Sequence, residues 1–208
     1  MIINMKKNSY HHGDLKQALI DAGMKILKEE GVQSLTLRSA ARASGVSHSA
    51  PYAHFSDKQA LLADISRQGF TNLFDQLSNT KAKFKNSPNE LLIETGWTYA
   101  QFALTEPNCF KLMFSGILED QHAYPEFMAA VQKTFHLLVE VVQICQMGKV
   151  LRAGPVDDCA IAVWSLVHGF ISLYLEQQFP GRVLEKYQLK NLLEKALLML
   201  ESGENTTG

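Results

Sequence analysis

The sequence predicts an all-α fold of about nine helices, and three observations carry that reading. Apolar residues recur at intervals of three and four along most of the chain. No alternating run is bounded by hairpin turns, and Gly and Pro fall where such helices begin or end. Composition agrees: of 208 residues, 46% are apolar and 20% charged, the balance of a chain that packs a core rather than a disordered or fibrous one. The length suits one or two domains.

In order along the chain, Leu15, Leu19, Ala22, Ile26 and Leu27 share one face of a first helix, which Gly31 is placed to end. Thr36 is a natural N-cap for a short second helix whose inner face is Leu37, Ala40 and Ala41, and Gly45 supplies the turn after it. Ser47 is placed to cap a third short helix, with Val46 reaching inward. Pro51 follows about four residues later; it lacks an N–H and disfavours α geometry at Ala50, which predicts a tight turn rather than a regular helix. Ser56-Asp57-Lys58-Gln59 has the form of a capping box, Ser at N-cap and Gln at N3. It opens a longer helix through Leu61, Leu62 and Ile65 toward about Asn79. The polar stretch Ser78 to Ser87 is expected to be weakly ordered.

Pro88, Pro107, Gly116, Pro125, Gly148, Gly154, Pro155, Pro180 and Gly181 then separate further helices. Phe127, Val131, Phe135, Leu138, Val142 and Cys145 lie on one helical face. The Val- and Ile-rich run from Leu137 to Ile144 keeps that spacing and is therefore helix rather than strand. Cys159 to Leu175 holds no Asp, Glu, Lys or Arg. It falls short of the ~20 residues that span a bilayer and is diluted by Ser165, His168, Gly169 and Ser172, so a helix buried on most sides is expected instead. Leu189, Leu192, Leu193, Ala196, Leu197 and Leu200 mark a last helix, beyond which residues 204–208 have no apolar anchor and are expected to fray.

The net charge of −1 hides a split. Residues 1–60 hold eight Lys/Arg against five Asp/Glu, a charge of +3, and the remaining 148 carry −4. A small basic head on a larger acidic body points to an anionic partner for the head alone. Three cysteines, Cys109, Cys145 and Cys159, form no Cys-x-x-Cys pair and fit a reducing compartment. Met1 to Asp14 lacks the apolar core of a signal peptide, so the expected location is cytoplasmic, with no membrane partner.

Two short helices around a glycine turn, after a longer first helix, describe a helix-turn-helix, which lays its second helix in the DNA major groove. The stretch from Tyr10-His11-His12-Gly13-Asp14-Leu15 through Leu62 resembles the DNA-binding domain of the TetR/AcrR family of transcriptional regulators. Gly31, Leu35, Thr36, Ala41, Gly45, Val46, Tyr52, His54, Phe55, Lys58 and Leu61-Leu62 carry the resemblance. It implies a helix-turn-helix domain over residues 1–56 and a helical ligand-binding and dimerisation domain over 57–208. It also implies phosphate contacts by Thr36, Tyr52, His54 and Lys58, each a hydroxyl, imidazole or ammonium donor. Arg38 is placed to reach a phosphate or a guanine edge. The start of the recognition segment, Ser47, His48, Ser49, Ala50 and Pro51, would face bases, with His48 the best single reader. Serine is a permissive reader and Ala or Pro can touch only a thymine methyl, so DNA shape is expected to share the specificity. Lys6 and Lys7 could form an arm to DNA or a solvated tail.

In the acidic body, Trp164-Ser165-Leu166-Val167-His168-Gly169 and Glu106-Pro107-Asn108-Cys109-Phe110-Lys111-Leu112-Met113-Phe114 are similar to a subgroup with a Trp/His-Gly signature. Trp97, Phe102, Cys109, Phe110, Met113, Phe114, Phe135, Trp164 and His168 are the candidate lining of an effector pocket, with Glu94 and Glu140 its possible charges. A seam of Ala162, Ser165, Gly169 and Ser172, joined by Leu193, Leu197 and Leu200, is the candidate dimer contact in a symmetric four-helix arrangement. The function expected is a homodimeric repressor of a palindromic double-stranded DNA operator, released by a small apolar or aromatic effector, without cofactor or metal. A constitutive DNA-binding protein is the alternative. An all-helical enzyme or haem carrier built on the three cysteines with His136 and His168 has no catalytic motif behind it.

Overall fold

The structure is a computed structural model that describes residues 12–200. The expectations for Lys6, Lys7, Tyr10, His11 and the tail beyond Leu200 lie outside them. The described residues form nine α-helices and two short 3-10 turns, with no strand.

The head comprises α1 (His12–Glu30), α2 (Leu37–Ala43), a 3-10 turn (Ala50–Ala53) and the start of α3 (Lys58–Phe84). Leu19, Ile20, Ile26 and Leu27 bury one face of α1. Gly31 ends the helix at φ +82°, its N–H donating to the Leu27 carbonyl at 3.1 Å. Gly23 lets α1 cross α3 closely, since a Cβ there would lie 2.5 Å from Ile65 Cδ1. Thr36 caps α2 as the sequence predicts. Its hydroxyl accepts from the Ser39 N–H at 3.0 Å, and its own N–H donates to Ser39 Oγ at 2.9 Å, with serine in the place Glu or Gln usually takes. Gly45 turns the chain at φ +68°.

Two capping assignments are corrected. Ser47 makes no side-chain cap; its carbonyl accepts from Ala50 N–H at 3.1 Å and its hydroxyl meets Ser49 Oγ at 3.2 Å. The α3 N-cap is Asp57 rather than Ser56, its carboxylate accepting from Ala60 N–H at 2.9 Å. Both residues of the Ser-Asp pair can cap, and the charged one, which also meets the positive end of the helix dipole, takes the role.

The body is built on α3, which runs 27 residues, about 40 Å. The polar stretch Ser78 to Ser87, expected to be weakly ordered, is helical to Phe84. Leu77 is buried, Thr80 shares a 2.8 Å hydrogen bond with Thr98, and Lys81 pairs with Glu140, so tertiary partners override the polar composition. Against α3 pack α4 (Pro88–Thr105), α5 (Pro107–Phe114) and α6 (Pro125–Met147), the last after a 3-10 turn at Gln121–Ala123. α7 (Val156–Leu175), α8 (Gly181–Leu184) and α9 (Leu189–Leu198) complete the chain, α7 and α9 packing on α4.

α6 and α7 are each long and apolar enough, by length and composition, to cross a membrane; in the fold each lays a buried stripe on the core. α7 is not buried on most sides as expected. Only Ala160, Val163, Val167 and Ile171 are buried, while Ile161 and Leu173 remain 52% and 50% exposed. Its lack of charge therefore does not reflect burial within this chain.

Candidate nucleic-acid interface and ligand cavity

The recognition segment is a single 3-10 turn of four residues, about 8 Å long. Pro51 sits in its first turn, and the Pro51 carbonyl accepts from both His54 and Phe55 N–H at 2.9 Å. Pro51 itself is buried, which corrects its assignment as a base-facing residue. Ser47, His48 and Ser49 are exposed in the turn leading into this segment, and Ala50 is half-buried. Tyr52 is 57% exposed, a large ring that core packing does not explain. Thr36 and Arg38 are exposed at the start of α2, while His54 and Lys58 are half-buried. Among the described residues, Arg38, Arg42 and Lys58 have no carboxylate within ion-pair distance. By contrast, Lys16 pairs with Asp64 at 2.7 Å and Lys28 with Glu106 at 2.6 Å. The cations on the helix-turn-helix are unneutralised, and those against the body are paired.

A cavity of about 310 Å³ opens between α3, α4, α5, α6 and α7. Phe70, Leu73 and Leu77 of α3 line one wall, Thr95 and Tyr99 of α4 another, and Phe135, Trp164 and Val167 close it from α6 and α7. Phe114 is the centre of an aromatic cluster, its ring centroid 5.3 Å from Phe70, 4.7 Å from His168 and 6.2 Å from Trp164. Tyr99 Oη lies 2.8 Å from His168 Nδ1 and accepts from Trp164 Nε1 at 3.3 Å. Burial raises the Tyr99 phenol and lowers the His168 imidazole, so both are neutral near pH 7 and the phenol donates to the unprotonated Nδ1. A smaller cavity of about 180 Å³ lies on the other side of Phe114, lined by Phe110, His168 and Ser172, with the Lys111–Glu176 pair on its wall.

Of the residues the sequence nominated, Met113, Phe114, Phe135 and Trp164 line the larger cavity, and Phe110 and His168 line the smaller. Trp97, Phe102 and Cys109 line neither and pack into the core. Cys109 lies 3.9 Å from the Met113 sulfur, and burial with the nearby Glu106 charge pushes its thiol up to about 12. Cys145 is likewise pushed up to about 12 by burial, with a further contribution from Cys159. Glu94 and Glu140 line neither cavity; they pair with Lys190 and Lys81. The α3 wall, Thr95 and Tyr99 escaped the sequence reading. Tyr99, a polar-tipped ring in an apolar helix, carried an available signal; Thr95 carried none.

Two residues assigned to the dimer seam are corrected. Leu193 and Leu197 are 1% and 0% exposed, covered from within the chain at Gly96 and Val167. Leu200 is half-buried against the core. Of the remaining seam residues Ser165 is exposed, Ala162, Gly169 and Ser172 are half-buried, Ser172 on the wall of the smaller cavity, and a Cβ at Gly169 would meet open space.

Comparison with known proteins agrees with this geometry. Residues 19–65 match the family described as bacterial regulatory proteins, tetR family, and residues 92–200 the tetracyclin repressor-like C-terminal domain. The chain is 25% identical to the HTH-type transcriptional regulator AcrR of Shigella flexneri, over 93% of this chain and 94% of that protein. A structure from Rhodococcus sp. RHA1, of unknown function, is 26% identical and superposes with a TM-score of 0.78 over 94% of this chain and 100% of that one. The TetR-family regulator PfmR of Thermus thermophilus, 18% identical, superposes with a TM-score of 0.63 over 89% of this chain and 98% of that one. An amino-terminal helix-turn-helix, a helical body around one apolar cavity, and matches to both halves together place the chain in the TetR family of DNA-binding transcriptional regulators.

Proposed function

We propose that the protein is a cytoplasmic, homodimeric repressor that grips a palindromic operator with two heads and lets go when a small apolar or aromatic effector fills the larger cavity. The observation that carries this reading is one continuous helix. α3 supplies Lys58, Leu61 and Leu62 to the head and Phe70, Leu73 and Leu77 to the cavity wall. Anything that moves the wall tilts the head. A second link runs in parallel: Asn108 Nδ2 of α5 donates to the Leu27 carbonyl at the end of α1 at 2.9 Å, and the same short helix carries Met113 and Phe114 into the cavity.

The head meets DNA through Thr36, Arg38, Tyr52, His54 and Lys58 on phosphates, and through His48 and Ser49 on base edges. The division between head and body falls at Asp57, the α3 cap. The dimer forms through the outward face of α7. At 100° per residue this face, centred on Ser165 and Gly169, is diametrically opposite the buried stripe of Ala160, Val163, Val167 and Ile171. Ile161 and Leu173 flank it, and Leu198 and the 85% exposed Met199 extend it from α9 in place of Leu193 and Leu197. Pairing along this face buries apolar surface that a monomer leaves in water.

Footprinting on the DNA upstream of the coding sequence tests the reading. Two protected half-sites about 34–36 Å apart, centre to centre, are expected for a dimer whose heads meet successive major grooves. Protection indifferent to sequence would contradict it. Protection unaffected by any small molecule would favour a constitutive DNA-binding protein.

A further inference from the structure

We infer that the larger cavity takes an uncharged ligand of about two aromatic rings bearing one hydrogen-bonding group, and that Thr95 holds that group. The inference rests on reading this cavity as the effector site and adds the chemistry of the occupant.

Thr95 is the exception among the helix-borne threonines of the described residues. Thr71, Thr80, Thr105 and Thr134 each donate to the carbonyl four residues back, at 2.8–3.1 Å, and Thr98 shares the Thr80 hydroxyl. Thr95 is only 5% exposed, lines the cavity, and its hydroxyl has no partner. A buried hydroxyl denied a hydrogen bond is costly. Here the unmade bond belongs to a residue that lines a space a ligand can fill, and the hydroxyl, covered as it stands, reaches that space by a turn about χ1. Of the other polar groups of the walls, Tyr99 Oη is engaged with His168 and Trp164 and Thr134 Oγ1 with the Ala130 carbonyl, while Gln121 is exposed to solvent.

Charge excludes acids and amines. No Lys, Arg, Asp, Glu or His is among the residues lining the cavity, and Glu94 and Glu140 are paired with lysines. An ionised group entering would lose its water and gain no counter-ion. Size sets the rest. A dry apolar cavity of about 150 Å³ accommodates benzene, so about 310 Å³ accommodates two rings.

Calorimetric titration of the full-length protein at neutral pH with 2-naphthol, naphthalene and 2-naphthoate tests this. 2-Naphthol is expected to bind, with 2-naphthoate at least about ten-fold weaker because its carboxylate must enter unpaired. Thr95→Val should weaken 2-naphthol about five-fold while leaving naphthalene unchanged, and Thr95→Ser should restore the 2-naphthol affinity. Equal binding of the naphthoate, an equal effect of Thr95→Val on both neutral probes, or binding of none of the three would overturn the inference. If 2-naphthol binds as described yet leaves operator affinity unchanged, the ligand chemistry stands and the effector reading of the site fails.

Discussion

Lys58 occupies a position that folding alone disfavours. It is the first residue of α3, where the helix dipole repels a cation, and no carboxylate of the described residues neutralises it. In the proposed complex a phosphate supplies the missing partner. Lys58→Ala should therefore leave thermal stability unchanged or slightly higher, weaken binding to all DNA sequences alike, and flatten the slope of log affinity against log salt by about 0.9 for each phosphate no longer neutralised. Because a dimer presents this lysine twice, the change is about double that. His48→Ala should instead alter which operator is preferred, as read by competition between operator variants. A uniform loss would remove His48 from the base-reading set. Thr95 is the proposed counterpart in the body, a residue whose side chain serves the cavity rather than the fold. Thr95→Val should raise the stability of the ligand-free protein by about 1 kcal/mol in urea denaturation, since it replaces an unpaired buried hydroxyl by a methyl of the same shape. Residues of this scale differ in legibility. Thr36, Gly31 and Gly45 could be read from sequence because a cap or a left-handed turn is a local requirement. Thr95 could not, because a threonine within a helix reads the same whether or not its hydroxyl finds the carbonyl behind it.

Helix boundaries were legible where punctuation decided them and not where tertiary contact did. Pro88, Pro107 and Pro125 each open a helix at its first residue. α3 runs through most of the polar stretch expected to be weakly ordered, because Thr98 and Glu140 reach across to it from α4 and α6. The recognition segment is the tight turn expected around Pro51, but the burial of that ring was not foreseeable from the backbone rule. The apolar periodicity of α7 and α9 announced two covered faces without saying what covers them. Leu193 and Leu197 are covered by α4 and α7 of the same chain, whereas Ile161 and Leu173 have no cover. That difference allows a test of the α7 face. Ser165→Glu, on an exposed residue, should leave helix content and thermal unfolding nearly unchanged in the monomer while placing like charges opposite each other across a twofold axis. Light scattering on a size-exclusion column should then report a monomer where the parent reports a dimer. A dimer persisting in the variant would assign the contact to another face.

The whole molecule divides its charge and its stability between two tasks. The basic head is held on the body by continuous α3, by the Asn108 clamp on α1 and by the Lys16–Asp64 and Lys28–Glu106 pairs. The exposed pairs contribute little energy and serve mainly to fix orientation. In the proposed dimer two heads must present their turns at matched spacing, so a small change in the tilt of α3 is amplified at the DNA. A ligand that favours the altered tilt by about 1–3 kcal/mol lowers operator affinity by roughly 5–150-fold. The split between a basic head and an acidic body was visible in the sequence, and so was the helix-turn-helix. The coupling was not, because it depends on α3 and α5 sharing walls of one cavity. Fluorescence anisotropy of labelled upstream DNA, titrated with the protein alone and with the cavity saturated by 2-naphthol, measures that coupling directly. A rightward shift of the binding curve by at least about five-fold is expected. Superimposable curves, with calorimetry showing the cavity filled, would contradict the claim that α3 transmits the state of the cavity to the head.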